Sequence, residues 1–107
     1  MTVTETDVLI IGAGQAGLVT AYHLQPTNLS FLLLDSNARL GDSWRQRYDS
    51  LTLFTSRAYS AMPGLPLEGD PDGYASRDEI ANYFERYAKL HNFPIHLNQA
   101  VTELTTL

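Results

Sequence analysis

The sequence predicts an α/β fold built on a parallel sheet, and three observations carry that expectation. An apolar run, Val8 to Ile11, stops on a glycine. The pattern Gly12-x-Gly14-x-x-Gly17 then opens a helical stretch. A second apolar run, Phe31 to Leu34, ends on an acid, Asp35. Strand, helix and strand fit within about thirty residues, the size of one βαβ unit.

Val8 to Ile11 reads as the first strand. Its unbroken apolar character suits a central parallel strand buried on both faces. Gln15 to about Leu24 reads as the first helix, with Ala16, Gly17, Val19 and Ala21 small enough for close packing on a sheet. Pro26 stops it, because the residue before a proline is pushed out of the helical region. Phe31 to Leu34 is the second strand. The stretch 37–72 reads as irregular, with Gly41, Pro63, Gly64, Pro66, Gly69 and Pro71. A loop of that length is uncommon in a compact domain unless it is functional. Inside it, Leu51 to Thr55 alternates enough for a short strand or a helical turn.

Ser76-Arg-Asp-Glu79 is a capping box, in which the hydroxyl caps the Glu79 amide and the Glu79 side chain reaches back. Ile80, Tyr83, Phe84, Tyr87, Ala88 and His91 follow at helical spacing, which predicts an amphipathic helix over Arg77 to His91 with the aromatic residues on the core face. Pro94 closes it. Ile95 to Leu97 reads as a third strand and Val101 to Leu104 as the start of a further one.

The glycine pattern has a mechanical meaning. Gly12 permits a tight turn, Gly14 lets backbone approach a phosphate with no Cβ in the way, and Gly17 lets the helix press on the first strand. Bare amides and the helix dipole then attract a pyrophosphate. Asp35 sits where a carboxylate hydrogen-bonds ribose hydroxyls and repels a 2′-phosphate, so FAD or NAD is expected rather than NADP. The bland reading is a turn that binds nothing and an acid that merely ends a strand. The order of strand, glycines, helix, strand and acid favours the dinucleotide, and with it a Rossmann-like domain.

Bulk properties narrow the partners. The chain has 107 residues, a mass of 11.9 kDa and a formal net charge of −5. No basic stripe is present to neutralise nucleic-acid phosphates. Cysteine is absent, so disulfides, thiolate metal sites and a Cys-x-x-Cys redox pair are excluded from these residues. His23, His91 and His96 lack ligand spacing, so packing or surface roles are expected of them and no metal. The polar, acidic start is not a signal peptide, and no apolar run approaches the ~18 residues of a membrane span. A cytoplasmic location is expected. Neither a Ser-His-Asp set nor a carboxylate pair emerges, so no catalytic residue is assigned.

The stretch Gly41-Asp-Ser-Trp-Arg45, followed by Arg47-Tyr-Asp-Ser-Leu51, Pro63-Gly64 and Ser76-Arg-Asp-Glu79, resembles the N-terminal part of class B flavin-dependent monooxygenases. That group includes the flavin-containing monooxygenases, the plant auxin-synthesising enzymes and the Baeyer–Villiger monooxygenases. The resemblance runs from Asp7 to about Val101 and is far more specific than the glycines alone. It implies that Gly12, Gly14, Ala16 and Gly17 line the pyrophosphate of FAD. It implies that Asp35, where most relatives carry Glu, binds the adenosine ribose, and that Val101 meets the adenine through its backbone. Ser43 and Trp44 would lie along the ribityl and isoalloxazine end, and Phe54 and Thr55 near the flavin ring.

Two positions depart from the family pattern. Animal relatives place Asn-Ser at Phe54-Thr55, and many relatives read Thr-Pro at Thr55-Ser56. For Trp44 the bland alternative is a core tryptophan under a long loop. Arg45 and Arg47 are expected to be solvated loop arginines.

The resemblance further implies an intact enzyme in which NADPH reduces the flavin. Oxygen would then form a flavin hydroperoxide that oxygenates a small organic substrate. Residues 1–107 would be an incomplete, N-terminal FAD-binding segment without the NADPH-binding domain. Such a sheet leaves an open edge and bare apolar faces, so self-association is expected. Two other classes stay open, namely an adenine-dinucleotide (NAD or FAD) binding module and a remnant without catalytic activity. A disulfide reductase fits poorly without cysteines, and a flavin amine oxidase would not explain Trp44 to Leu53.

Overall fold

Helix propensity, capping and burial agree best along α4, Arg77–His91, in the computed structural model, which describes residues 3–106. The Ser76 hydroxyl accepts the Glu79 N–H at 3.2 Å, and Asp78 and Glu79 lie in the first turn, where the helix dipole favours acids. Asn92 ends the helix in the left-handed region at φ 56°. The buried face is the expected one: Ile80, Tyr83, Phe84, Tyr87 and Ala88, joined by Ala81. Only half of the capping box forms. The Glu79 carboxylate turns instead to Arg57, with oxygens 2.9 and 3.0 Å from Nη2. A charge-assisted guanidinium pair outcompetes a neutral amide for the same carboxylate.

The sheet contains β1 (Val8–Ile11), β2 (Phe31–Leu34) and β3 (Ile95–His96), all parallel, in the order β1-β2-β3. Val8 pairs with Phe31 and Ile11 with Leu34, while Leu33 and Leu34 meet Ile95 and His96. Leu97 falls outside β3. Helix α1, Gln15–Leu24, connects β1 to β2 as expected and buries Leu18 and Ala21.

Successive strand residues point to opposite faces. Ile10 and Leu33 belong to one buried cluster with Leu18, Tyr83, Phe84 and Tyr87. Both long helices therefore cover the same face. On the other, Leu9 is 45% and Ile11 56% exposed. This corrects the expectation that β1 is buried on both faces. The apolar run is suited to two covers, and the described residues supply one.

The predicted strand over Val101 to Leu104 is not formed either, for a reason that lies just before it. Asn98 adopts a left-handed φ of 56°, its N–H donates to Asn37 C=O at 2.9 Å, and the Gln99 N–H donates to Asp35 C=O at 2.9 Å. The chain thus crosses the end of β2 instead of running beside a strand.

The long connection is more ordered than expected. It contains the short helices α2 (Asp42–Arg45) and α3 (Arg57–Ser60), and Thr52 bridges Ser76 in antiparallel fashion. Two tyrosines of α4 hold its far part. The Tyr83 hydroxyl accepts the Met62 N–H at 2.8 Å and donates to Leu65 C=O at 2.5 Å, and the Tyr87 hydroxyl donates to Pro63 C=O at 2.5 Å. Burial pushes the Tyr87 phenol up to about 12. These rings fill the core, as expected, while their polar tips satisfy loop backbone. His91 also packs as expected, its ring stacked on Phe93 with 13° between planes.

Candidate dinucleotide-binding site

The site begins where β1 ends. Gly12 turns the chain at φ +97°, and its N–H donates to Leu34 C=O at 2.7 Å. A Cβ on Gly17 would overlap the Gly12 carbonyl oxygen and come within 3.3 Å of Ile10 Cγ2. Close approach of α1 to the turn therefore requires glycine at 17. Gly14 is the N-cap of α1 and brings no side chain to the helix end. The first helical bond runs from the Leu18 N–H to Gly14 C=O at 2.9 Å. Among the described residues, the N–H groups of Gly14, Gln15, Ala16 and Gly17 find no protein acceptor. A Cβ built at Gly12 or Gly14 meets no atom within 4 Å. Free amides facing open space fit a diphosphate.

Recesses lie on both sides of this helix end. One is an open cleft of about 320 Å³ bordered by Gly12, Asp35, Asn37 and Val101. The other is a pocket of about 100 Å³ bordered by Gln15, Trp44, Leu53, Thr55 and Phe84. Of the residues expected at the two ends of a dinucleotide, Asp35 and Val101 edge the recess that includes Gly12, and Trp44 and Thr55 the one that includes Gln15.

In the larger cleft Asp35 is engaged with backbone. Its Oδ2 accepts the Ala13 N–H and its Oδ1 the Asn37 N–H, both at 2.8 Å. Val101 is 38% exposed at the rim. In the smaller pocket Trp44 is half-buried, rests against the core and carries the Arg47 guanidinium 4.3 Å above its ring. Core support and a wall of the pocket are thus combined in one side chain. The Thr55 hydroxyl lies 2.6 Å from that of Ser60. Ser43 is exposed, and Phe54 is 99% exposed, away from the pocket lining.

Sequence reasoning missed what fixes the Trp44 arm. Gly41 caps α2 at φ +87°, and a Cβ there would press within 3 Å of Ala81. Arg45 is not solvated as expected. Its guanidinium donates to Leu40 C=O at 2.6 Å, Asn82 Oδ1 at 3.1 Å and Glu85 Oε1 at 2.8 Å, with Asp42 at 3.2 Å. Arg39 joins Glu85 through two bonds of 2.7 and 2.8 Å, and these hold the Glu85 carboxyl below its ordinary range. The partners on α4 lie about forty residues away, so no local pattern announces them. Arg47 is exposed, as expected, though stacked on Trp44. Among the described residues no cluster of three or more metal-ligating side chains occurs. No helix there is long and apolar enough to cross a membrane.

Comparison with known proteins agrees with this geometry. The model of a family described as pyridine nucleotide-disulphide oxidoreductase matches residues 9–106. An oxidoreductase of CzcO-like type from Geobacillus kaustophilus is 53% identical over 98 residues, 92% of this chain and 28% of its own length. The indole-3-pyruvate monooxygenase YUCCA6 of Arabidopsis thaliana is 30% identical over 97 residues, 90% of this chain and 23% of its own. The flavin-containing monooxygenase from Stenotrophomonas maltophilia superposes with a TM-score of 0.79 at 34% identity, over 85% of this chain and 28% of that one. The chain spans between 23% and 28% of the length of these relatives. The match over residues 9–106 places the chain in the pyridine nucleotide-disulphide oxidoreductase family, and its parallel three-stranded sheet matches the N-terminal, FAD-binding Rossmann-like region of flavin monooxygenases.

Proposed function

We propose that this chain holds FAD for an NAD(P)H-dependent flavoprotein monooxygenase that oxygenates a small organic substrate. One observation carries the reading. The amides of Gly14, Gln15, Ala16 and Gly17 have no protein acceptor among the described residues, and they stand between a cleft edged by Asp35 and a pocket walled by Trp44. An elongated ligand with a diphosphate in the middle matches that order.

FAD, once bound, supplies the electron transfer and oxygen chemistry; the chain supplies binding and orientation. The α1 amides would hold the diphosphate. Asp35 would accept from the ribose hydroxyls, and the backbone around Val101 would edge the adenine. Ser43, Trp44, Phe54 and Thr55 would face the other half, where Trp44 offers a flat surface and one indole donor. Residues 1–107 would form the FAD-binding segment, and the nicotinamide cofactor would be held by residues beyond these. A cytoplasmic location fits the acidic, cysteine-free composition.

The exposure of Phe54 and Ser43 favours a second reading, an adenine-dinucleotide module without redox chemistry. Titration of the chain with FAD, NAD and ADP separates the two. FAD quenched on binding, and held more tightly than ADP, supports a flavin site. Binding of NAD but not FAD supports the second reading, and uptake of neither removes both.

A further inference from the structure

The carboxylate of Asp35 is occupied before any ligand arrives, and what occupies it is the site itself. Ala13 is 2% exposed, so its N–H is cut off from water and needs a protein acceptor. Asp35 Oδ2 provides it at 2.8 Å. Oδ1 takes the Asn37 N–H at 2.8 Å. The main chain of the same residue is also committed. Its N–H donates to His96 C=O at 3.0 Å, and its C=O accepts the Gln99 N–H at 2.9 Å. One residue therefore ties together the turn after β1, the exit from β2 and the segment after β3. These three stretches edge the cleft of about 320 Å³.

We infer that Asp35 is a positioning residue for the glycine turn as well as a ligand for ribose, so that it supports diphosphate binding through Ala13. The inference rests on the dinucleotide reading and extends it. An ionised carboxylate has about four lone-pair sites, and the two amides use two of them. The rest stay available to a diol, so the roles do not compete. Bonds from amides to an ionised carboxylate are stronger than neutral ones. They hold Ala13 directly before the four free amides of Gly14, Gln15, Ala16 and Gly17, which would face the phosphates. Loss of the carboxylate would leave the Ala13 N–H buried and unpaired, and the turn would rearrange to satisfy it.

A ligand that lacks the diol separates the two roles. ADP and its dideoxyribose analogue, without either hydroxyl, are titrated into the chain and its Asp35→Ala and Asp35→Asn variants. Positioning through Ala13 weakens both ligands, by about tenfold or more in Asp35→Ala and by less in Asp35→Asn, which keeps one acceptor oxygen. A variant that weakens ADP and leaves the analogue unchanged overturns the inference and leaves ribose bonding alone. Amide hydrogen exchange in the ligand-free chain supplies a readout independent of any nucleotide. Exchange at Ala13 should quicken by about tenfold in Asp35→Ala and by less in Asp35→Asn, while the core of α4 keeps its protection. Unchanged exchange at Ala13 would overturn the inference even if every ligand bound. Wild-type protein that binds neither ADP nor FAD removes the dinucleotide reading, while the exchange result still decides whether Asp35 holds the turn.

Discussion

The two faces of the sheet differ by one residue in register and by almost everything else. Ile10 and Leu33 are sealed under α1 and α4, while Leu9 and Ile11, their neighbours on β1, stand 45% and 56% exposed. All four are branched aliphatics in one short parallel sheet. What separates them is which way the pleat sends each side chain. Stability should follow the covered face, and the bare face should tolerate change.

The largest effect is expected at Leu33, which is fully buried. Leu33→Ala should cost about 2–5 kcal/mol in denaturant unfolding, because the rigid aromatic face of α4 cannot collapse into the space. A cost comparable to that of a bare-face change would erase the distinction.

Gly17→Ala comes next. Its Cβ meets the Gly12 carbonyl, so α1 must lift from β1 at about 1–3 kcal/mol. FAD affinity should fall with it, since the same turn presents the amides. Full affinity in a destabilised Gly17→Ala protein would separate the turn from the ligand.

Tyr87→Phe keeps the ring and loses the hydroxyl that holds Pro63 C=O. A cost of ~1 kcal/mol is expected from paired thermal melts. Its high phenol value also carries a sign. A group raised in the folded state contributes stability below its unfolded value, and that contribution is lost as pH rises toward about 12. An absorbance titration should find Tyr83 and Tyr87, both raised by burial, ionising above the exposed tyrosines.

Leu9→Thr, on the bare face, should shift stability by no more than ~0.5 kcal/mol. A larger loss, or a concentration-dependent melt abolished by the change, would show that this face is covered in solution.

The smallest effect is expected at the outer rim of α4. Arg39 and its hydrogen bonds lower the Glu85 carboxyl, so the contribution is present above the unfolded value. It is lost as pH falls through the depressed folded one. Comparing Arg39→Gln with wild type should show a slight difference at neutral pH that vanishes in acid.

Where local chemistry fixes the backbone, the residues read out directly. Ser76 and Asn92 bracket α4 at the expected ends, and the glycine spacing placed the turn and α1. Where the outcome depends on a distant partner, they did not. Arg45 looks like any loop arginine until α4 brings Asn82 and Glu85 beside it. Glu79 is a capping residue by pattern, yet Arg57 takes its carboxylate. Val101 to Leu104 has strand-like side chains, but a strand also needs a neighbouring backbone, and the crossing at Asn98 and Gln99 removes it.

Periodicity and glycine spacing alone determined the βαβ unit, the helix over Arg77 to His91 and the tight turn from Gly12 to Gly17. These follow from side-chain alternation, capping and Cβ sterics, which act over a few residues. Only the tertiary structure decided which face of the sheet is covered, which amides Asp35 binds and what holds Trp44 in place. Each of those depends on two segments, far apart in the chain, meeting at hydrogen-bonding or van der Waals distance, and no single stretch of sequence encodes that meeting.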